Sequence, residues 1–121
     1  KSISILCTSG QLKTAALILI DMLCKAGCKI YYSGDFDPEG IEIAEKLIQR
    51  DKNIVPWCFS KENYRKAISE NIISDERLKK LDKIENICFK ELIEEIKKER
   101  KAGYQELLLD KMKKDIEEIL N

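Results

Sequence analysis

The sequence predicts an α/β fold, a parallel sheet flanked by helices over residues 1–60, continued in the same domain by a helical part over residues 61–121. Three observations lead there. Short apolar, β-branched runs alternate with helical stretches in the order strand, helix, strand, helix, strand. The connections are short, so parallel pairing with right-handed crossovers follows. Beyond residue 60 the pattern turns helical, with apolar stripes at i, i+4 spacing.

Each element carries its own signal. Ile3 to Cys7 is a short apolar strand ended by Thr8-Ser9-Gly10. A helix from about Gln11 to Ala26 follows, with Ser9 as N-cap and Gly27 as its stop. Its middle, Ala15 to Ile20, is apolar all round, as in a helix packed on a sheet. Cys28 to Ser33 makes a second strand, broken by Gly34. Asp37-Pro38-Glu39 opens the next helix, with Asp37 as N-cap, Pro38 at the first helical position and Glu39 in the first turn. Its apolar face is Ile41, Ala44, Leu47 and Ile48. Asn53 to Phe59 gives a third strand, in which Pro56 belongs at an end or edge because it cannot donate to a ladder.

The second half reads as a short helix from Lys61 to Asn71 and one or two more between Asp75 and Arg100. Leu81, Ile84, Ile87, Cys88, Leu92 and Ile96 form their apolar stripe. A last helix, Tyr104 to Leu120, carries Tyr104, Leu108, Met112, Ile116 and Leu120. Such stripes face a core or, less often, form a homodimer seam.

Composition narrows the chemistry. A chain of 121 residues, 44% hydrophobic, supports one domain with a core. Lys and Arg number 22, as do Asp and Glu, so bulk charge gives no attraction for nucleic acid. There is no histidine, which removes Ser-His-Asp and Cys-His catalysis and every His-containing zinc site. Five cysteines, with no signal peptide, suit free thiols in a reducing cytoplasm rather than a disulfide framework. The longest apolar run, Ala15 to Ile20, is too short to span a membrane.

In a parallel sheet, ligands bind where loops leave the carboxyl ends of the strands. Three loops qualify: Thr8-Ser9-Gly10, Gly34-Asp35-Phe36-Asp37, and the end of the Trp57 strand. Asp35 and Asp37 are two apart, so in extended backbone their side chains leave on one side, with Phe36 directed into the core between them. Two such carboxylates suit a hard cation such as Mg²⁺ or Mn²⁺, with Glu39 in the next turn as a further ligand. In the plainer reading Asp37 is only an N-cap and Asp35 a turn residue. An EF-hand fails at its twelfth position, which is Lys46. An aspartyl-phosphate phosphatase is weakened because its DxD loop normally follows the first strand of its domain.

The string Gly34 to Ala44, with its Asp35-Phe36-Asp37-Pro38-Glu39-Gly40 core, resembles the Toprim motif of topoisomerase VI A subunits and their meiotic Spo11 relatives. A resemblance covering nearly the whole chain is to the Toprim-like C-terminal domain of JetD-like subunits of Wadjet anti-plasmid systems. It is carried by Leu6-Cys7-Thr8-Ser9-Gly10-Gln11, the Gly34-Asp35-Phe36-Asp37 loop, Pro56-Trp57, Asn63-Tyr64 and Tyr104-Gln105-Glu106. It implies a Toprim-like sheet, Asp35 and Asp37 as catalytic Mg²⁺ ligands, DNA as substrate and SMC-like ATPase subunits as partners. It does not require Glu39. Ser33 stands where the family often has histidine, and Pro38 where it commonly has tryptophan.

A Toprim site also includes a glutamate on its first strand, which the family carries one strand and helix before the Cys-Thr-Ser-Gly strand. This chain begins after that point, so the glutamate either lies upstream of Lys1 or is lacking; the former is expected. Glu106 is a candidate additional acid, or else a solvated first-turn residue. Ser9, Gly10 and Lys13 are candidates for the DNA backbone, aided by the N–H groups of the helix they open. Tyr64 is expected to pack rather than react. The expected activity is metal-dependent DNA cleavage, with this segment alone nearly inactive and binding Mg²⁺ weakly. The rival is a non-catalytic Toprim-like module that binds DNA or a partner subunit.

Overall fold

The computed structural model describes residues 14–120. Helix α1 (Thr14–Lys25) leads into strand β1 (Ile30–Tyr32) and helix α2 (Pro38–Arg50), then strand β2 (Ile54–Pro56) and helix α3 (Lys61–Ala67). Strand β3 (Ile68–Ile72), helix α4 (Asp75–Leu78), two 3₁₀ turns (Lys79–Lys83 and Ile87–Phe89) and helix α5 (Lys90–Glu99) follow. The chain ends through strand β4 (Lys101–Gly103), a 3₁₀ turn (Gln105–Leu108) and helix α6 (Leu109–Leu120). The expected strand Ile3–Cys7 and the cap at Ser9 lie outside the described residues.

The expected strand–helix–strand unit is present. β1 and β2 pair in parallel, Ile30 opposite Ile54 and Tyr32 opposite Pro56. Pro56 closes its strand, and the ladder resumes beyond it where Trp57 N–H donates to Tyr32 O at 2.8 Å. Gly27 ends α1 at φ +84°, a left-handed conformation that glycine adopts without a Cβ penalty. The neighbouring Cys28 N–H caps Leu23 O at 3.0 Å. At the start of α2, Asp37 is extended and Pro38 occupies the first turn, as the sequence indicates.

Other expectations need correction. Among the described residues α1 is packed on one side only, since Ile18, Leu19 and Met22 are exposed. The helix expected over Lys61–Asn71 stops at Ala67, and Ile68–Ile72 pairs antiparallel with Lys101–Gly103 inside the half expected to be all helix. Ile68 and Ile72, four apart around three polar residues, imitate a helical stripe and hide the strand. The stretch from Asp75 to Arg100 is broken by an extended Ile84. There the Glu45 carboxylate accepts from the N–H groups of Glu85 and Asn86, at 2.9 and 2.8 Å. The break turns Ile87 and Cys88 outward, while Leu81, Leu92 and Ile96 stay buried. In the last stripe Leu108 and Met112 are buried and Leu120 is exposed.

The larger cluster of buried side chains lies under the second half. Phe36 and Ile41 enter it beside Phe59, Tyr64, Phe89 and Ile96. Tyr64 packs as expected, its ring 5.6 Å from that of Phe36 and its hydroxyl donating to Lys101 O at 2.6 Å. A smaller cluster of Cys24, Leu47 and Ile54 joins α1 and α2 to the parallel strands.

Candidate functional site

The loop leaving β1 is held at its centre. Phe36 is fully buried, and its backbone exchanges both hydrogen bonds with Gly103, at 2.8 and 2.9 Å. A Cβ on Gly103 would sit 3.1 Å from the Phe36 ring and 3.2 Å from Ala67 O, so the approach suits glycine. Alternation along extended backbone then sends Asp35 and Asp37 away from the core, on either side of Phe36.

Each of those carboxylates has one oxygen anchored by a backbone N–H. Asp35 Oδ1 accepts from Gln105 at 3.0 Å, and Asp37 Oδ1 accepts from Gly40 at 2.7 Å, as the N-cap of α2. A side chain at Gly40 would overlap Asp35 O and lie 2.9 Å from Asp37 Oδ1. The glycine therefore lets the first turn of the helix close over the loop. Burial raises the pKa of Asp37 above the usual carboxylate value, the Gly40 hydrogen bond opposes it, and the charges of Glu39 and Asp35 add to the rise. Tyr32 is shifted up as well, by burial and then by the charges of Asp35 and Asp37.

Glu39 is engaged by two cations in this geometry. Arg77 holds it in a fork, with Nε 3.1 Å from Oε1 and an Nη2 contact to the same oxygen, while Lys80 Nζ lies 3.2 Å from Oε2. Those hydrogen bonds, Arg77 first, hold the Glu39 carboxyl below its usual range. Neither cation stands out in a chain with 22 of them, and no spacing rule ties residue 39 to residue 77. The late Gln105-Glu106 pair does arrive at this edge, through the Gln105 N–H on Asp35, and Glu106 beside it is exposed. Ser9, Gly10 and Lys13 lie outside the described residues.

The third loop on the edge is tied down by α6. Trp57 Nε1 donates to Asp115 Oδ2 at 2.9 Å, Lys111 Nζ lies 3.1 Å from the same oxygen, and Cys58 Sγ is at 3.7 Å. Cys58 has φ +64°, a left-handed conformation uncommon outside glycine. Burial pushes its thiol pKa up to about 11, which makes it a poor nucleophile. The four cysteines among the described residues form no disulfide.

Among the described residues no three His, Cys, Asp or Glu side chains are grouped to hold a metal ion. Two carboxylates do meet the requirement of Mg²⁺, which keeps several waters and takes one or two carboxylates together with substrate phosphate. Burial raises Asp37 first and the charges of Glu39 and Asp35 add to it, and a bound cation would oppose that rise.

The model of a family described as the C-terminus of a protein of unknown function (DUF2399) matches residues 1–116. The chain belongs to this family. No curated protein matches the DUF2399 chain, and no solved structure does. The match spans the β1–α2 loop, the Arg77–Lys80 segment and the Trp57–Asp115 contact alike, so the DUF2399 domain includes every residue of the candidate site. No helix among its described residues is long and apolar enough to cross a membrane.

Proposed function

We propose that this domain is the Toprim-type, metal-binding part of a DNA-cleaving protein, with Asp35 and Asp37 as ligands to Mg²⁺ or Mn²⁺. The observation that carries the reading is the paired anchoring of these carboxylates at the carboxyl end of a parallel strand. Gln105 and Gly40 each hold one oxygen, which orients the groups before any ligand arrives. Preorientation of this kind lowers the cost of binding and of charge stabilisation later. Bound there, the ion supplies a Lewis acid for a phosphodiester oxygen and for an attacking water. The chain's own residues contribute placement: buried Phe36 fixes the loop, and Gly40 lets α2 close on it. The resemblance to JetD-like subunits supports DNA as substrate and SMC-like ATPase subunits as partners, in a cytoplasmic anti-plasmid role.

The test is nicking of supercoiled plasmid by the intact protein in Mg²⁺ or Mn²⁺. Asp35→Asn keeps an oxygen for the Gln105 N–H and removes the charge. It is expected to lose at least about 100-fold in rate, the scale of removing an electrostatic stabiliser. Equal nicking by both proteins overturns the assignment.

A second reading is a non-catalytic module that binds DNA or a partner, using the metal for shape. It is favoured by the engagement of Glu39 with Arg77 and Lys80, which leaves two carboxylates rather than three for a metal. Metal-dependent binding of DNA without any nicking by the intact protein supports this reading instead.

A further inference from the structure

The cations beside the acidic loop carry an inference that rests on the reading of that loop as a DNA-cleaving site. Asp35, Asp37 and Glu39 crowd one end of β1 and α2, and a phosphodiester approaching them meets negative charge. The chain as a whole offers no compensation, because its charges balance. Local compensation comes from Arg77, in α4, and Lys80, three positions on, which converge on the Glu39 carboxylate. Both remain reachable, with side chains 40% and 45% exposed. Arg77 grips Glu39 through Nε and Nη2, both on Oε1, and this same pair of guanidinium donors can receive two phosphate oxygens. An ion pair this exposed is weak, so exchange of the carboxylate for a phosphate is readily reversible.

We propose that Arg77 and Lys80 form a phosphate clamp for the DNA backbone, held on Glu39 until duplex arrives, with Glu39 competing against the phosphate for the same two cations. In this arrangement Glu39 restrains binding. Two residues after Asp37, it keeps the clamp beside the proposed metal position without being a ligand there.

The competition gives the two ends of one ion pair opposite signs. If the contact only fastens α4 to α2, Arg77→Gln and Glu39→Gln disturb the protein alike. If it is a clamp, Arg77→Gln weakens duplex binding and Glu39→Gln tightens it. The measurement is fluorescence anisotropy of a short labelled duplex with the intact protein in EDTA, across about 50 to 200 mM salt. Arg77→Gln is expected to bind about tenfold more weakly, with a salt slope smaller by about one. Glu39→Gln is expected to bind several-fold more tightly with an unchanged slope, and Arg77→Lys to keep the slope while losing part of the affinity.

Changes of the same sign in both Gln variants, or no change in either, overturn the clamp. A protein that binds no duplex overturns it together with the nucleic-acid reading. Opposite shifts alongside nicking that ignores Asp35→Asn uphold the clamp and remove the metal assignment. Asp35-dependent nicking that ignores both Gln variants does the reverse.

Discussion

Asp37 caps a helix in a place that disfavours its charged form. Its carboxylate accepts from Gly40 N–H, yet burial and two neighbouring carboxylates raise its pKa. A folded pKa above the unfolded value means that the native state binds its proton more tightly, so this group's contribution to stability falls as pH rises above 3.8. An amide keeps the capping oxygen and cannot ionise. Asp37→Asn is therefore expected to be at least as stable as wild type at neutral pH in EDTA, with an advantage that shrinks as the medium is acidified. Urea titrations of the two proteins at several pH values measure it. Asp37→Ala, which also loses the cap, is expected to fall about 1 kcal/mol below the Asn variant. A gain in stability on neutral replacement is the pattern expected of a ligand position.

Among the elements, α6 depends most visibly on one side chain beyond its own length. Asp115 ties it to Trp57 across the carboxyl edge of the strands, and the Trp57 N–H, then Lys111, hold its carboxyl below the usual value. A depressed carboxyl contributes stability above its unfolded pKa of 3.8 and loses it as pH falls through the folded value. Asp115→Asn is thus expected to be less stable than wild type near neutral pH, and the gap to close under strong acid. Thermal melts followed by circular dichroism at both extremes check it. The same contact illustrates what sequence reasoning reaches. The start of α2 was legible because Asp37-Pro38 is a local signal, as was the end of α1 at Gly27. The candidate loop was legible as a pair of carboxylates on one side of a strand end. The pairing of β3 with β4 was not, because its polar residues carry no period-two pattern and its partner lies about 30 positions away. Nor was the engagement of Glu39 by Arg77 and Lys80, since long-range ion pairs leave no trace in spacing.

On the scale of the whole molecule, a cation that binds the native loop and not the unfolded chain stabilises by mass action. Two carboxylates make a weak site, so the effect needs concentrated metal. At ten times the dissociation constant it amounts to about 1.4 kcal/mol. A modest rise in melting temperature with Mg²⁺ is expected for wild type and none for Asp35→Asn, read by calorimetry against a chloride control of equal ionic strength. No rise in wild type at any concentration counts against the site.

The hydrogen bond from Gln105 to Asp35 closes a loop of 70 positions, and the Phe36–Gly103 bridge beside it spans nearly as many. Ribosomes deliver the chain from its amino end, so β1, β2 and α2 emerge while their acidic loop still lacks both of these long-range contacts. Its shape is completed only when the segment around Gly103 arrives, after β3 and α5 have emerged. Until then Asp37 has only its local anchor on Gly40 N–H and Asp35 has none, so the two carboxylates become oriented together only when that later segment has been made.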